Sequence, residues 1–176
     1  MTRREDIINF SENCDLPGSI GAELGVATGQ FSRRLLENSN MYLFSIDMWE
    51  GDRNHDIEQY KQALRALLPY KERSTVLRMR FNEAVDLFPD FYFDFIYVDG
   101  YAHTGEEEGQ TFSDWYPKLK PGGVFAGDDY HDRWPKVTAA VDEFISRESL
   151  KLNMHTFDPD NPWDGYPSWW ARKPSA

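Results

Sequence analysis

The chain has 176 residues with a formal net charge of −11, enough for one domain with a sheet covered on both faces and no room for a second. That charge opposes polyanions, so nucleic acid and anionic membranes are excluded as expected partners, and cations and neutral solutes are favoured. The single cysteine, Cys14, rules out an internal disulfide, and with no apolar run of leader or spanning length the expected setting is a reducing cytoplasm.

Residues 3 to 13 read as an amphipathic helix with Ile7, Ile8 and Phe10 inward, closed by a polar segment carrying Pro17. It is expected to pack on a sheet or over a ligand. The stretch from Gly21 to Asp47 then reads as a strand ending near Leu24, a turn with Gly25, Ala27 and Gly29, a helix opened by Phe31 and Ser32, and an apolar strand ending on Asp47. Glycines let backbone approach a ligand closely, and the second strand brings its carboxylate beside the turn. Such an acid suits a ribose diol. The turn carries no basic residue until Arg33, so a nucleoside fits it better than a phosphate. Taken alone, the turn is equally a tight connection in any parallel sheet.

After a polar loop from Trp49 to Asp56, the spacing predicts a helix over 56–68 with Ile57, Tyr60, Leu64, Leu67 and Leu68 on one face and Pro69 as its stop. A short buried strand over 75–79 and a helix over 82–88, with Ala84, Val85 and Phe88 inward, follow. Phe93 to Val98 is a near-continuous apolar run of the kind buried on both faces, and it delivers Asp99. Thr104 with Glu107 reads as a capping box for a helix running to Lys118. In its first turn Glu106, Glu107 and Glu108 complement the helix dipole, a cation site being the alternative. LKPGG at 119–123 reads as a tight turn into a strand over 123–127, which delivers Asp128 and Asp129. Pro135 opens a helix with Val137, Ala140, Val141, Phe144 and Ile145 at helical period. Strands over 150–157 and 168–172 close the sheet as a hairpin. The whole reads as an α/β three-layer sandwich.

Glu23-Leu24-Gly25 with Gly29, followed by Asp47, resembles the opening motifs of class I S-adenosylmethionine-dependent methyltransferases, and the element order resembles theirs from Gly21 onward. The resemblance implies a Rossmann-like fold over residues 1–176, with a mostly parallel seven-stranded sheet and an antiparallel last strand. It implies S-adenosylmethionine as cofactor, with Glu23, Gly25 and Gly29 at its methionine end and Asp47 on the ribose hydroxyls. Asn82, within the segment 80–83, would stand at the adenine edge, and Asp99 would also touch the cofactor. A sulfonium and an ammonium make acids in the pocket electrostatically sensible.

Asp99 after an apolar strand, and Asp128 with Asp129 after LKPGGVFAG, resemble the metal-dependent O-methyltransferases of the catechol and macrocin types. That resemblance implies magnesium on Asp99, Asp128 and Asp129. The residues agree so far as carboxylates at two neighbouring strand ends repel unless a cation lies between them. The alternative is that Asp128 caps a turn, Asp129 faces water and Asp99 touches only the cofactor. Magnesium on a substrate hydroxyl would lower its pKa, and positioning would carry much of the rest. His103, four residues past Asp99, is the expected base, with Tyr101 and His131 in reserve. A surface histidine without a role is the alternative for either histidine. The chain departs from both types here, since Ala102 stands where the catechol type has lysine and Tyr101 where the macrocin type favours an acid.

The acceptor is expected to be a small hydroxylated molecule such as a sugar or phenol, held by the loops 49–55, 131–134 and 158–166. Trp49, Trp134 and Trp163 would either stack on it or serve as lid or core contacts. With no inserted cap, the site is expected to be open or completed by the second subunit of a homodimer. Two further readings stay in play: the same cofactor without metal, and a non-catalytic nucleoside-binding or interaction module on the same fold.

Overall fold

The strand Phe93–Val98 has no exposed position, as its continuous apolar sequence demands of a strand covered on both faces. The computed structural model describes residues 4–11, 16–51, 55–155 and 165–175, and within it this strand, β4, sits near the centre of the sheet. Parallel β1 (Ile20–Leu24) and β5 (Leu119–Gly127) flank it. Beyond β1 lie β2 (Tyr42–Asp47) and β3 (Ser74–Arg78), also parallel. Beyond β5 lies β7 (Trp169–Arg172), antiparallel to both β5 and β6 (Asn153–Met154). The order is β3-β2-β1-β4-β5-β7-β6, the mostly parallel, seven-stranded plan expected from the sequence.

Alternate residues of the strands feed two cores. On one face Leu24, Ile96, Val98 and Phe125 pack with Phe81, Phe112, Val137 and Phe144. On the other, Leu43, Phe95, Tyr97 and Val124 meet Ile7, Ile8, Leu35 and Leu36. The helices α1 (Gln30–Glu37), α2 (Ile57–Leu67), α3 (Phe81–Ala84), α4 (Gly105–Glu108), α5 (Gln110–Trp115) and α6 (Pro135–Arg147) cover the sheet. The strand order reverses between β1 and β4, so the connections leave in opposite directions and a crevice opens outside the carboxyl ends of these strands.

Several elements differ from the sequence expectation. The amino-terminal helix is a 3-10 helix, Arg4–Phe10, with Ile7 and Ile8 buried and Phe10 stacked on Trp170 at 4.2 Å. The face of α2 is rotated from the one predicted: Leu67 is buried as expected, but its buried companion is Ala63, whereas Ile57 and Leu64, with Leu68 just beyond, are exposed. The cause is close packing, because a Cβ at Gly29 would lie 2.9 Å from the Ala63 Cα and only a small residue allows that approach. The single helix expected up to Lys118 breaks into α4, α5 and a 3-10 turn, Tyr116–Lys118. Glu106, Glu107 and Glu108 all hold positive φ, so their expected role in a regular first helical turn is overturned. LKPGG belongs to β5 rather than to a turn, and β6 keeps only two residues of the predicted 150–157 strand. Cys14, Trp163 and most of the loop 158–166 lie outside the described residues.

Candidate active site

The turn after β1 is shaped by what glycine lacks. Gly25 holds φ +93°, and a Cβ there would lie 1.8 Å from the Asp99 carbonyl oxygen, so no other residue fits without moving β4. The Val26 and Ala27 N–H groups each donate to Asp47 Oδ2 at 2.9 Å, which ties the end of β2 to the turn. Burial pushes the Asp47 carboxyl up, but His55 and the Ala27 and Val26 N–H groups outweigh it and hold it below the usual range. Trp49 is buried and its indole N–H donates to the Ala27 carbonyl at 2.8 Å. It braces the turn as a core contact.

The carboxylates at the strand ends meet a cation supplied by the chain itself. Arg4 Nη2 lies 2.6 Å from Asp99 Oδ2 and 2.9 Å from Asp128 Oδ2, while its Nε donates to the Tyr97 hydroxyl at 2.6 Å. Its guanidinium also sits 4.3 Å over the Phe31 ring. Burial works against the Arg4 charge, but Asp128, Tyr97 and Asp99 outweigh it and hold the proton beyond the ordinary arginine range. Burial raises the Asp128 carboxyl, and Arg4 limits the rise. Glu23, fully buried, accepts a hydrogen bond from Ser32 Oγ through Oε2, while its Oε1 has no partner. Burial pushes the Glu23 carboxyl up to about 8, against the Ser32 hydrogen bond.

Arg4, Glu23, Gly25, Asp47 and Asp99 line a cavity of about 440 Å³ together with Tyr101, His103, Asp129 and Trp134. The His103 and Trp134 rings meet edge to face at 4.6 Å, and Tyr101 meets Phe81 in the same way at 5.0 Å. Burial, then Asp128 and Asp99, raise the Asp129 carboxyl to about 7. Burial and Glu107 also raise the Tyr101 hydroxyl, which disfavours a phenolate there. Close to Gly100 of the lining, Glu106 is buried with Oε2 unpartnered. Burial, Asp99 and Asp129 push its carboxyl up to about 8.

Of the residues singled out in the sequence, Glu23, Gly25, Asp47, Asp99, Tyr101, His103 and Asp129 line this cavity. Gly29 shapes the turn from behind, at φ +79°. Asp128 stands behind Arg4. His131 is outside the lining, its ring 5.4 Å from Tyr166 and its Nδ1 accepting from the Arg133 N–H at 3.1 Å. Asn82 is exposed, and its neighbour Phe81 lines the cavity instead. Sequence reasoning missed Arg4 and, having named Glu106 in a glutamate run, missed its inward burial. Arg4 stands three and four residues before Ile7 and Ile8, on their face, which was the signal available for it. Gly105 and Gly109 around the glutamate run warned against a regular helix.

A family model described as "Methyltransferase domain" matches residues 19–130, the stretch from just ahead of β1 to just past Asp129. The chain belongs to this methyltransferase family. A curated relative, the uncharacterized protein y4gI of Sinorhizobium fredii, is 33% identical over 92 residues, 51% of this chain. The chain spans only 10% of that relative's length. Among solved structures, a Corynebacterium glutamicum protein matches 98% of the chain and 80% of its own with a TM-score of 0.72 at 15% identity. An S-adenosylmethionine-dependent O-methyltransferase of Thermotoga maritima matches 100% of the chain and 67% of its own, with a TM-score of 0.64 at 16% identity. At such identities these structures establish the class I methyltransferase fold.

For the methyltransferase, the donor set decides which groups fit. The unpartnered Glu23 Oε1 and the ionised Asp47, set on a turn that Gly25 lets pack tightly against Asp99, suit a cofactor with a cationic end and a ribose. Magnesium on Asp99, Asp128 and Asp129 fits poorly, because Arg4 already occupies the gap between Asp99 and Asp128. Among the described residues, no group of three or more His, Cys, Asp or Glu side chains is arranged to hold a metal ion. Nor is any described helix long and apolar enough to cross a membrane.

Proposed function

We propose that this methyltransferase uses S-adenosylmethionine to methylate a hydroxyl of a small molecule of the sugar or phenol kind, without magnesium. One observation carries the reading: the same cavity is lined by the glycine turn, Glu23 and Asp47 and also by His103 and Asp129. When bound, the cofactor supplies an electrophilic methyl group on a sulfonium. Glu23 takes its ammonium end, Gly25 permits close approach of the backbone, and Asp47 accepts from the ribose hydroxyls. Phe81 offers the adenine an aromatic edge. His103 and Asp129 face the acceptor, and whichever is unprotonated takes the hydroxyl proton as the oxygen attacks. Trp134 gives the acceptor an apolar wall and excludes water. Most of the barrier reduction then comes from holding the hydroxyl in line with the methyl group.

The similarity of fold to an O-methyltransferase supports oxygen as the nucleophile. The metal-free form of the reaction is favoured by the contacts of Arg4. The experiment is a calorimetric titration with S-adenosylhomocysteine, followed by detection of that product when the protein is given S-adenosylmethionine with a panel of sugars and phenols. Binding with product release from a hydroxylated acceptor is expected. Failure to bind S-adenosylhomocysteine would sink the cofactor assignment, and turnover with amines alone would sink the acceptor assignment.

A further inference from the structure

The amino-terminal 3-10 helix looks peripheral in the sheet topology, yet it inserts the one arginine that is buried among the described residues into the catalytic crevice. A single nitrogen, Arg4 Nη2, bridges oxygens of Asp99 and Asp128 at 2.6 and 2.9 Å. The same guanidinium enters a closed ring of hydrogen bonds. Arg4 Nε donates to the Tyr97 hydroxyl at 2.6 Å, the Tyr97 and Ser168 hydroxyls lie 2.8 Å apart, and Ser168 Oγ donates to Asp128 Oδ1 at 3.0 Å. The proton order follows from chemistry. Arginine can only donate and the Ser168 proton is committed to Asp128, so Tyr97 donates to Ser168. Asp128 is thus an acceptor from both sides, held as the carboxylate. The buried Ile7 and Ile8 fix the helix, and the Phe31 and Tyr97 rings flank the guanidinium at 4.3 and 5.0 Å.

We propose that Arg4 takes the place a divalent ion would hold in this site: it is the positive charge that lets Asp99 and Asp128 stand side by side and fixes their orientation. The inference rests on the methyltransferase reading above and assigns Arg4 a positioning role. A hard ion prefers several oxygen ligands free to close around it. Here Asp99 and Asp128 each give an oxygen to Arg4, and Asp128 gives the other to Ser168. An ion would have to expel a buried guanidinium held on three sides. Arg4→Ala therefore opens a pair of unneutralised carboxylates, beside Asp129, to a metal. Arg4→Lys keeps the charge and closes the site again.

The test is Mn2+ uptake by the whole chain, read from the loss of the free-ion paramagnetic resonance signal, with S-adenosylhomocysteine calorimetry alongside. The wild type and Arg4→Lys should take up no Mn2+ at millimolar concentration. Arg4→Ala should bind it at least about tenfold more tightly than the wild type, since two freed carboxylates raise the ligand charge. Mn2+ uptake by the wild type that is lost in Asp128→Asn would overturn the proposal, as would an Arg4→Ala protein that gains none. Should Arg4→Ala not fold, Arg4→Met with Asp99→Asn and Asp128→Asn is the second measurement. Recovery of folding there supports neutralisation by Arg4, and no recovery overturns it. A wild type that binds neither Mn2+ nor S-adenosylhomocysteine would refute the cofactor reading while leaving the assignment of Arg4 standing.

Discussion

Glu106→Gln should stabilise the protein at alkaline pH and leave it nearly unchanged at acid pH. Glu106 is buried, its Oε2 has no partner, and burial with Asp99 and Asp129 raises its carboxyl from 4.5 to about 8. The folded state therefore holds this proton more tightly than the unfolded chain does. The associated stability is fully present below pH 4.5, declines as pH rises, and is lost above about 8. Glutamine, close in shape to the protonated acid, cannot titrate. The rise corresponds to a ceiling of about 5 kcal/mol, and side-chain relaxation with water entry reduces this to about 2 kcal/mol. For a chain of this size that is a gain of roughly 5 °C in Tm at pH 9 and none at pH 4. Thermal unfolding of both proteins from pH 4 to 9 checks it. The neighbouring groups are the same in both proteins, so only the difference counts, and parallel curves would refute the reasoning.

Gly25→Ala would drive a methyl group into the Asp99 carbonyl, 1.8 Å away at φ +93°. We expect a stability loss of about 3 kcal/mol or more and no S-adenosylhomocysteine binding, read by melting and calorimetry. Glu108→Gly relieves a left-handed residue at φ 58° on the surface and should raise stability by about 1 kcal/mol in urea unfolding, with cofactor affinity unchanged. Asp47→Asn keeps an oxygen for the Val26 and Ala27 N–H groups but removes the charge facing a ribose. It should weaken S-adenosylhomocysteine by roughly 10- to 100-fold while moving Tm little.

The sheet was legible because its signals are local. An apolar run such as Phe93 to Val98 states its own burial, and the glycines around Val26 state where backbone must turn. Asp47 and Asp99 were placed by the same logic, as the residues on which strands end. What stayed hidden was settled by contacts distant in sequence. Arg4 reaches Asp99 across 95 positions, and no local pattern names its partner. The glutamate run at 106–108 has the composition of a helix start, yet Gly105 is pressed against α6, where a Cβ would meet the Lys136 carbonyl at 2.5 Å. That close packing overrides helical preference and turns Glu106 inward. On α2, Ile57, Leu64 and Leu68 marked the wrong face and only Leu67 the right one, because the contact with Gly29 required alanine rather than bulk.

The site manages its carboxyls in three ways, and these imply how a cationic cofactor binds. Asp99 and Asp128 are neutralised by Arg4, and Asp47 is held ionised by His55 and backbone N–H groups. For Glu23 the Ser32 hydrogen bond and the Arg4 charge are too little help, and burial keeps its carboxyl up at about 8. On the proposed reading, the cofactor's cationic end favours the ionised form of Glu23, so binding near neutrality must expel that proton. S-adenosylmethionine affinity should then rise by up to about tenfold per pH unit from 6 to 8 and level off above. Calorimetry in buffers of differing ionisation enthalpy should find nearly one proton released per cofactor at pH 7. Glu23→Gln should bind more weakly at pH 8.5, with a flatter profile and less proton release. If wild type and Glu23→Gln share one profile, Glu23 does not meet the cofactor's charge, and the polarity assigned to this wall of the cavity is wrong.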